Sequence, residues 1–155
     1  MFIDDWGLVN SKIDEKNAEN SILWTLETIL LGELAGEDMS HMKGKLYIAL
    51  KHCKISEGIY SQNPAYTNDP NIRLKEQYMS PDQLMVFMAT YKLWGWDFGK
   101  EIWEEIKKQG LRYDNVEPDS PKRFIHPKHL AFAAICASSP LGILLYPILV
   151  LAALV

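Results

Sequence analysis

Cysteine is scarce: the chain has two in 155 residues, Cys53 and Cys136, too few and too far apart for the disulfide framework of a small secreted domain. Both fall in apolar, helical-looking settings, which predicts buried, reduced thiols. A dense basic stripe is also missing. The 16 Lys and Arg are set against 20 Asp and Glu for a net charge of −4, and that balance argues against a phosphate-backbone footprint, so no nucleic-acid partner is expected. The N-terminus, MFIDDWGLVN, has neither a basic n-region nor a long apolar h-region, so secretion by a signal peptide is not expected. No Gly-rich phosphate loop, GxSxG elbow or Cys/His nucleophile arrangement occurs, and no cofactor is expected.

Charge is absent altogether from Leu130 to Val155, behind a loop carrying Lys122, Arg123 and Lys128. An uncharged run of that length is a transmembrane candidate, since a helix rising 1.5 Å per residue must cover roughly 30 Å of hydrocarbon. Pro140 and Pro147 argue against one straight span, because each lacks a backbone donor and crowds the preceding turn. From Leu141 the remaining helix would reach only about 22 Å. Ser138-Ser139-Pro140 reads as an N-cap followed by a first-turn proline. The run is therefore read as a buried hairpin of two short apolar helices, with a membrane anchor over 130–155 as the less favoured alternative.

The rest of the chain has helical periodicity. Ile22, Leu23, Leu26, Ile29, Leu30 and Leu34 predict a helix over 18–35 that ends at Gly36. Ser40 is placed to cap a second, with Leu46, Ala49, Leu50 and Cys53 on one face and Gly58 just past its end. Ser80-Pro81-Asp82-Gln83 combines an N-cap, a first-position proline, a first-turn acid and a capping-box Gln. That helix buries Leu84, Met85, Phe87, Met88 and Tyr91 and yields at Gly95 to another, capped by Asp97 and ending at Gly110. A short motif recurs at about 50-residue spacing: Gly7-Leu8-Val9-Asn10, Gly58-Ile59-Tyr60-Ser61 and Gly110-Leu111-Arg112-Tyr113. The expected fold is all-α, a single domain over 1–155. It has three αα-hairpins of about 50 residues each, approximately 18–53, 80–109 and 127–155, in a solenoid or partial α/α-toroid. Such an array gathers its loops on one rim, where Asp4, Asp5, Trp6, Tyr60, Asn63, Tyr113, Asp114 and Asn115 converge.

FIDDWGL, Glu19-Asn20, GIYSQNP, Ser80-Pro81-Asp82-Gln83, GLRYDN and His126-Pro127-Lys128-His129 together resemble phage- and prophage-encoded helical proteins of unassigned role. Those proteins in turn look like the helical-hairpin toroids of some carbohydrate-active enzymes. The resemblance covers most of residues 2–135. It implies a viral protein of the host cytoplasm or virion, and it leaves a glycan as an alternative ligand. A full toroid has about six hairpins, so three imply an incomplete funnel unless the chain pairs with itself or another subunit.

Candidate residues follow from these readings. Asp5 and Asp82 are the carboxylate pair a glycosidase would need, one to protonate the leaving oxygen and one to attack or activate water. Against that, an acid in a helix first turn is favoured by the helix dipole alone. Trp6, Tyr60, Asn63, Trp96, Tyr113, Asp114 and Asn115 are the binding candidates. Trp94, Trp96, Trp103 and Tyr91 would form a stacking platform for sugar, although aromatics at helical spacing are more often core. His126 and His129, at i and i+3, come nearest to a ligand pair. No third ligand accompanies them, so no metal is expected. The leading expectation is a non-catalytic binding or assembly module that meets a protein partner or a second copy through its apolar C-terminal hairpin. A glycan-active enzyme is the alternative and a tail-anchored membrane protein the third reading.

Overall fold

A computed structural model of the chain describes residues 2–10, 21–66, 79–113 and 125–139. Two strands open it, β1 (Phe2–Ile3) and β2 (Val9–Asn10), paired antiparallel with Ile3 opposite Val9. The turn between them is closed by Asp4, whose Oδ1 accepts from the backbone N–H groups of Trp6 (2.9 Å) and Leu8 (2.8 Å). Gly7 supplies the left-handed φ of +76° that the turn needs. The helices α1 (Ser21–Leu34) and α2 (Ser40–His52) then pack on each other, with β2 against α1. Thr25 ties strand to helix: its hydroxyl accepts from Val9 N–H at 2.7 Å and donates to the Ser21 carbonyl at 2.7 Å.

The same order recurs. β3 (Lys54–Ser56) and β4 (Ile59–Tyr60) form an antiparallel pair with an irregular register between Lys54 and Ser56. A short 3-10 turn, Pro64–Tyr66, follows. Next come α3 (Pro81–Trp94) and α4 (Phe98–Lys108), packed on each other, and then α5 (Pro127–Cys136), packed on α3. Helix α3 also contacts α1, and the Tyr47 ring of α2 lies 5.3 Å from that of Phe98 on α4, so both contacts join the two helix pairs. The core runs through Ile22, Ile29, Leu46, Leu50, Tyr60, Phe87, Met88, Ile102 and Ile106, all 0% exposed.

The described chain is mostly helical, as expected, with corrections at specific positions. The recurring glycine motif, expected to stop a helix or open an extended stretch, opens one at Gly7 and Gly58, where it forms the turn of a β-hairpin whose strands are too short to show a period of two. At Gly110 it ends a helix as read: φ is +69° and the Leu111 N–H reaches the Ile106 carbonyl at 2.9 Å, the signature of a Schellman close. Ser40 is the first residue of α2 and not its cap, a position that Met39 holds without a side-chain cap bond, and Asp38 Oδ1 accepts the Ser40 N–H at 3.0 Å. Gly58 does not follow α2 directly, since β3 intervenes. Asp97 occupies the cap position of α4 but makes no side-chain cap bond. Ser80 caps α3 as expected, accepting the Gln83 N–H at 3.4 Å, and Gly95 closes it with φ +71°. Of the third expected hairpin, 127–155, the described residues include the first helix. Glu19-Asn20 and residues 140–155 lie outside them, and with them the two prolines and most of the uncharged run. Among the described residues no helix is long and apolar enough to cross a membrane.

Candidate functional site

The β3–β4 turn lies directly on α4. A Cβ on Gly58 would stand 2.9 Å from the Glu101 carbonyl oxygen and 2.7 Å from Glu105 Cβ, and φ there is +72°. Glycine is thus required by both space and backbone conformation. The close approach brings three polar side chains onto one another. Glu101 Oε2, on the first turn of α4, accepts from the Tyr60 hydroxyl at 2.7 Å and from Lys54 Nζ at 2.6 Å. From behind, Tyr113 fixes the hairpin: its hydroxyl donates to the Gly58 carbonyl at 2.9 Å and accepts the Tyr60 N–H at 3.3 Å. An open groove of about 620 Å³ runs along this face, lined by Glu57, Asp97, Lys100, Glu101, Glu104, Glu105 and Lys108.

The electrostatics of the group follow from its burial. Burial pulls the Glu101 carboxyl upward, but hydrogen bonds from Lys54 and Tyr60, the Lys54 charge and a Gly58 backbone hydrogen bond outweigh it and hold the carboxyl below its usual value. Glu101 is therefore an anion at neutral pH, suited to accepting hydrogen bonds and unsuited to donating a proton. Tyr60 is pushed well above the usual phenol range by burial and by its hydrogen bond to Glu101, and Tyr113 is raised by burial. Both remain hydroxyl donors. Neither cysteine offers a nucleophile, since burial pushes the Cys53 thiol up to about 12 and that of Cys136 to about 11.

The residues singled out from sequence fall in several places. Tyr60 and Tyr113 meet, although they lie far apart in the chain. Tyr60 is 0% and Asn63 1% exposed. Asn63 Nδ2 donates to Ser21 Oγ at 2.8 Å and its Oδ1 accepts from the Ala65 N–H at 2.8 Å, so it joins the start of α1 to the segment after β4. Trp6 is half-buried with its ring 4.8 Å from that of His52. Asp5 is exposed in the β1–β2 turn, and Asp82 is exposed in the first turn of α3, where its charge acts on His129. Neither lines the groove described above. Asp114 and Asn115 lie outside the described residues. Trp103 is core at 5% exposure, whereas Trp94 and Trp96 are half-buried, 4.7 Å apart, with Tyr47 5.2 Å from Trp96 and Lys43 Nζ 4.9 Å above Trp94. His126 caps α5 through Nδ1, with the His129 ring 5.8 Å away. Among the described residues no three His, Cys, Asp or Glu side chains cluster as a metal site would require.

Glu101 and Lys54 were not among the sequence candidates. Glu101 sits in a run of charges that reads as the solvated face of an amphipathic helix, and its partners are 41 and 47 residues away. Only Gly58, singled out for its spacing, hinted that a backbone passes close to something. No protein-family model, curated protein or solved structure matches the chain.

Proposed function

We propose that the chain is a non-catalytic binding or assembly module that associates with protein through an apolar face, tested first as self-association. The observation that carries this is a set of exposed apolar side chains on adjoining helices: Leu31 at 67% and Leu34 at 86% on α1, Tyr47 at 42% and Ile48 at 50% on α2, and Leu93 at 52% on α3. Scattered single leucines need no explanation, but Leu30, Leu31 and Leu34 occupy successive positions on one helix surface, and such a patch marks an interface. Lys43 joins this end together, paired with Glu33 of α1 and lying over Trp94 of α3. Glu101, one of the carboxylates lining the groove, is tied up as an acceptor, which suits a structural latch better than an acid catalyst.

A partial α/α-toroid is the larger architecture that fits this reading, with the helix pairs α1–α2 and α3–α4 as two units and α5 opening a third. Viral origin belongs to the proposal through the resemblance of the sequence motifs. Light scattering across a concentration series is the test. The wild-type chain is expected to self-associate, and Leu31→Glu with Leu34→Glu to give a monomer with unchanged far-UV circular dichroism. A wild-type chain that stays monomeric at every concentration overturns the self-association.

A further inference from the structure

Helix α5 begins with two imidazoles, one exposed at its cap and one partly buried a turn further in. His126 is its N-cap, and Nδ1 accepts the Lys128 N–H at 3.4 Å. His129 stands one turn in, where its own N–H bonds the His126 carbonyl at 2.9 Å. Its side-chain Nδ1 is buried and, among the described residues, has no hydrogen-bond partner, so a proton placed there meets no acceptor among them. The site is also the positive end of the helix dipole. Among the described residues, the charged groups facing His129 are Lys128 and His126 on its own helix and Asp82 from α3, against which α5 packs. Lys92, also on α3, lies at the other end of α5, donating to Ser138 Oγ at 3.2 Å.

We propose that His129 is a pH-sensitive latch that holds the first turn of α5 against α3 while its imidazole is neutral and releases it on acidification. What the latch controls is buried apolar surface. Ala131, Ala133 and Ala134 are 0% exposed and Cys136 5%, and they begin the uncharged run that starts at Leu130. Opening α5 uncovers this surface in acid and covers it again at neutral pH.

The direction of the pH effect follows from the sign of the shift. Burial first, then the charges of Lys128 and His126, lower the proton affinity of His129 below the ordinary imidazole value, with Asp82 opposing them. The released helix therefore binds the proton more readily than the docked one. Docking is at full strength above the free imidazole pKa of about 6.5 and weakens as the pH falls below it toward the docked value.

Hydrogen exchange of the whole chain, corrected for the intrinsic pH dependence of exchange, reads this directly. Between pH 7.5 and 5.5, protection of the α5 amides is expected to fall by about threefold to tenfold while α1 and α2 keep theirs. His129→Phe, which retains a ring without a titrating proton, is expected to abolish the fall. Asp82→Asn is expected to enlarge it. A pH-independent α5, an equal loss in α1 and α2, or a fall that persists in the folded variant each overturns the latch. The wild-type series decides the matter alone if that variant does not fold.

Discussion

At Gly58 two constraints coincide, a left-handed backbone and a helix surface within van der Waals reach, whereas Gly110 has the same backbone sign and open space around it. Alanine at Gly110 is expected to cost about 1 kcal/mol, the left-handed penalty alone. At Gly58 the overlap with α4 adds to it, for a total of about 2–4 kcal/mol. Urea unfolding midpoints of G58A and G110A check the difference, and equal losses would mean that the hairpin does not press on α4. Glu101 makes a second residue-scale test. Its folded pKa lies below the ordinary 4.5, so its bonds to Lys54 and Tyr60 contribute stability above that pH, and the contribution is lost as pH falls through the folded value. Glu101→Gln is expected to flatten the acid limb of the stability profile in that window, measured by thermal melts from pH 6 downward. Both residues show what a linear reading detects and misses: a glycine announces an unusual backbone, but the carboxylate under it looks like every other charge on its helix.

Helix boundaries are set by groups within a few residues of each other, and there the sequence was most legible. Ser80-Pro81-Asp82-Gln83 identified the start of α3, and Gly95 its end, because each acts on its own turn. The cap of α2 lies one residue earlier than expected: Met39 holds it without a side-chain bond, and the Ser40 N–H is taken by Asp38. Ser80→Ala is therefore expected to destabilise the protein by about 1 kcal/mol, and Ser40→Ala by clearly less, judged from denaturant midpoints. The β-hairpins were illegible at this scale. Two- and three-residue strands have no periodicity, and their persistence depends on outside anchors: Thr25 for β2, Tyr113 and Glu101 for β3–β4.

Over the whole molecule, α3 is the shared wall: α1, α4 and α5 all pack on it, and Phe87 and Met88 at its centre are fully buried. The exposed leucines of α1 belong to this scale, because their meaning depends on what covers them. If the proposed self-association occurs there, the melting temperature rises with protein concentration, and the Leu31→Glu, Leu34→Glu variant loses that dependence. What the sequence determined by itself was whatever short-range physics controls: helical periodicity, the Ser-Pro start, and the glycines that need positive φ, which recur in a short motif at about 50-residue spacing. Tertiary structure alone decided that the recurring motif is twice a β-turn, that Tyr60 and Asn63 face inward to bond α4 and α1, and that Glu101, Lys54, Tyr60 and Tyr113 share one hydrogen-bonded group. The reason is range. Caps and periodicity act within a turn or two of chain, while these bonds join residues more than 40 positions apart, and only packing of the two helix pairs around α3 brings them within 3 Å or so.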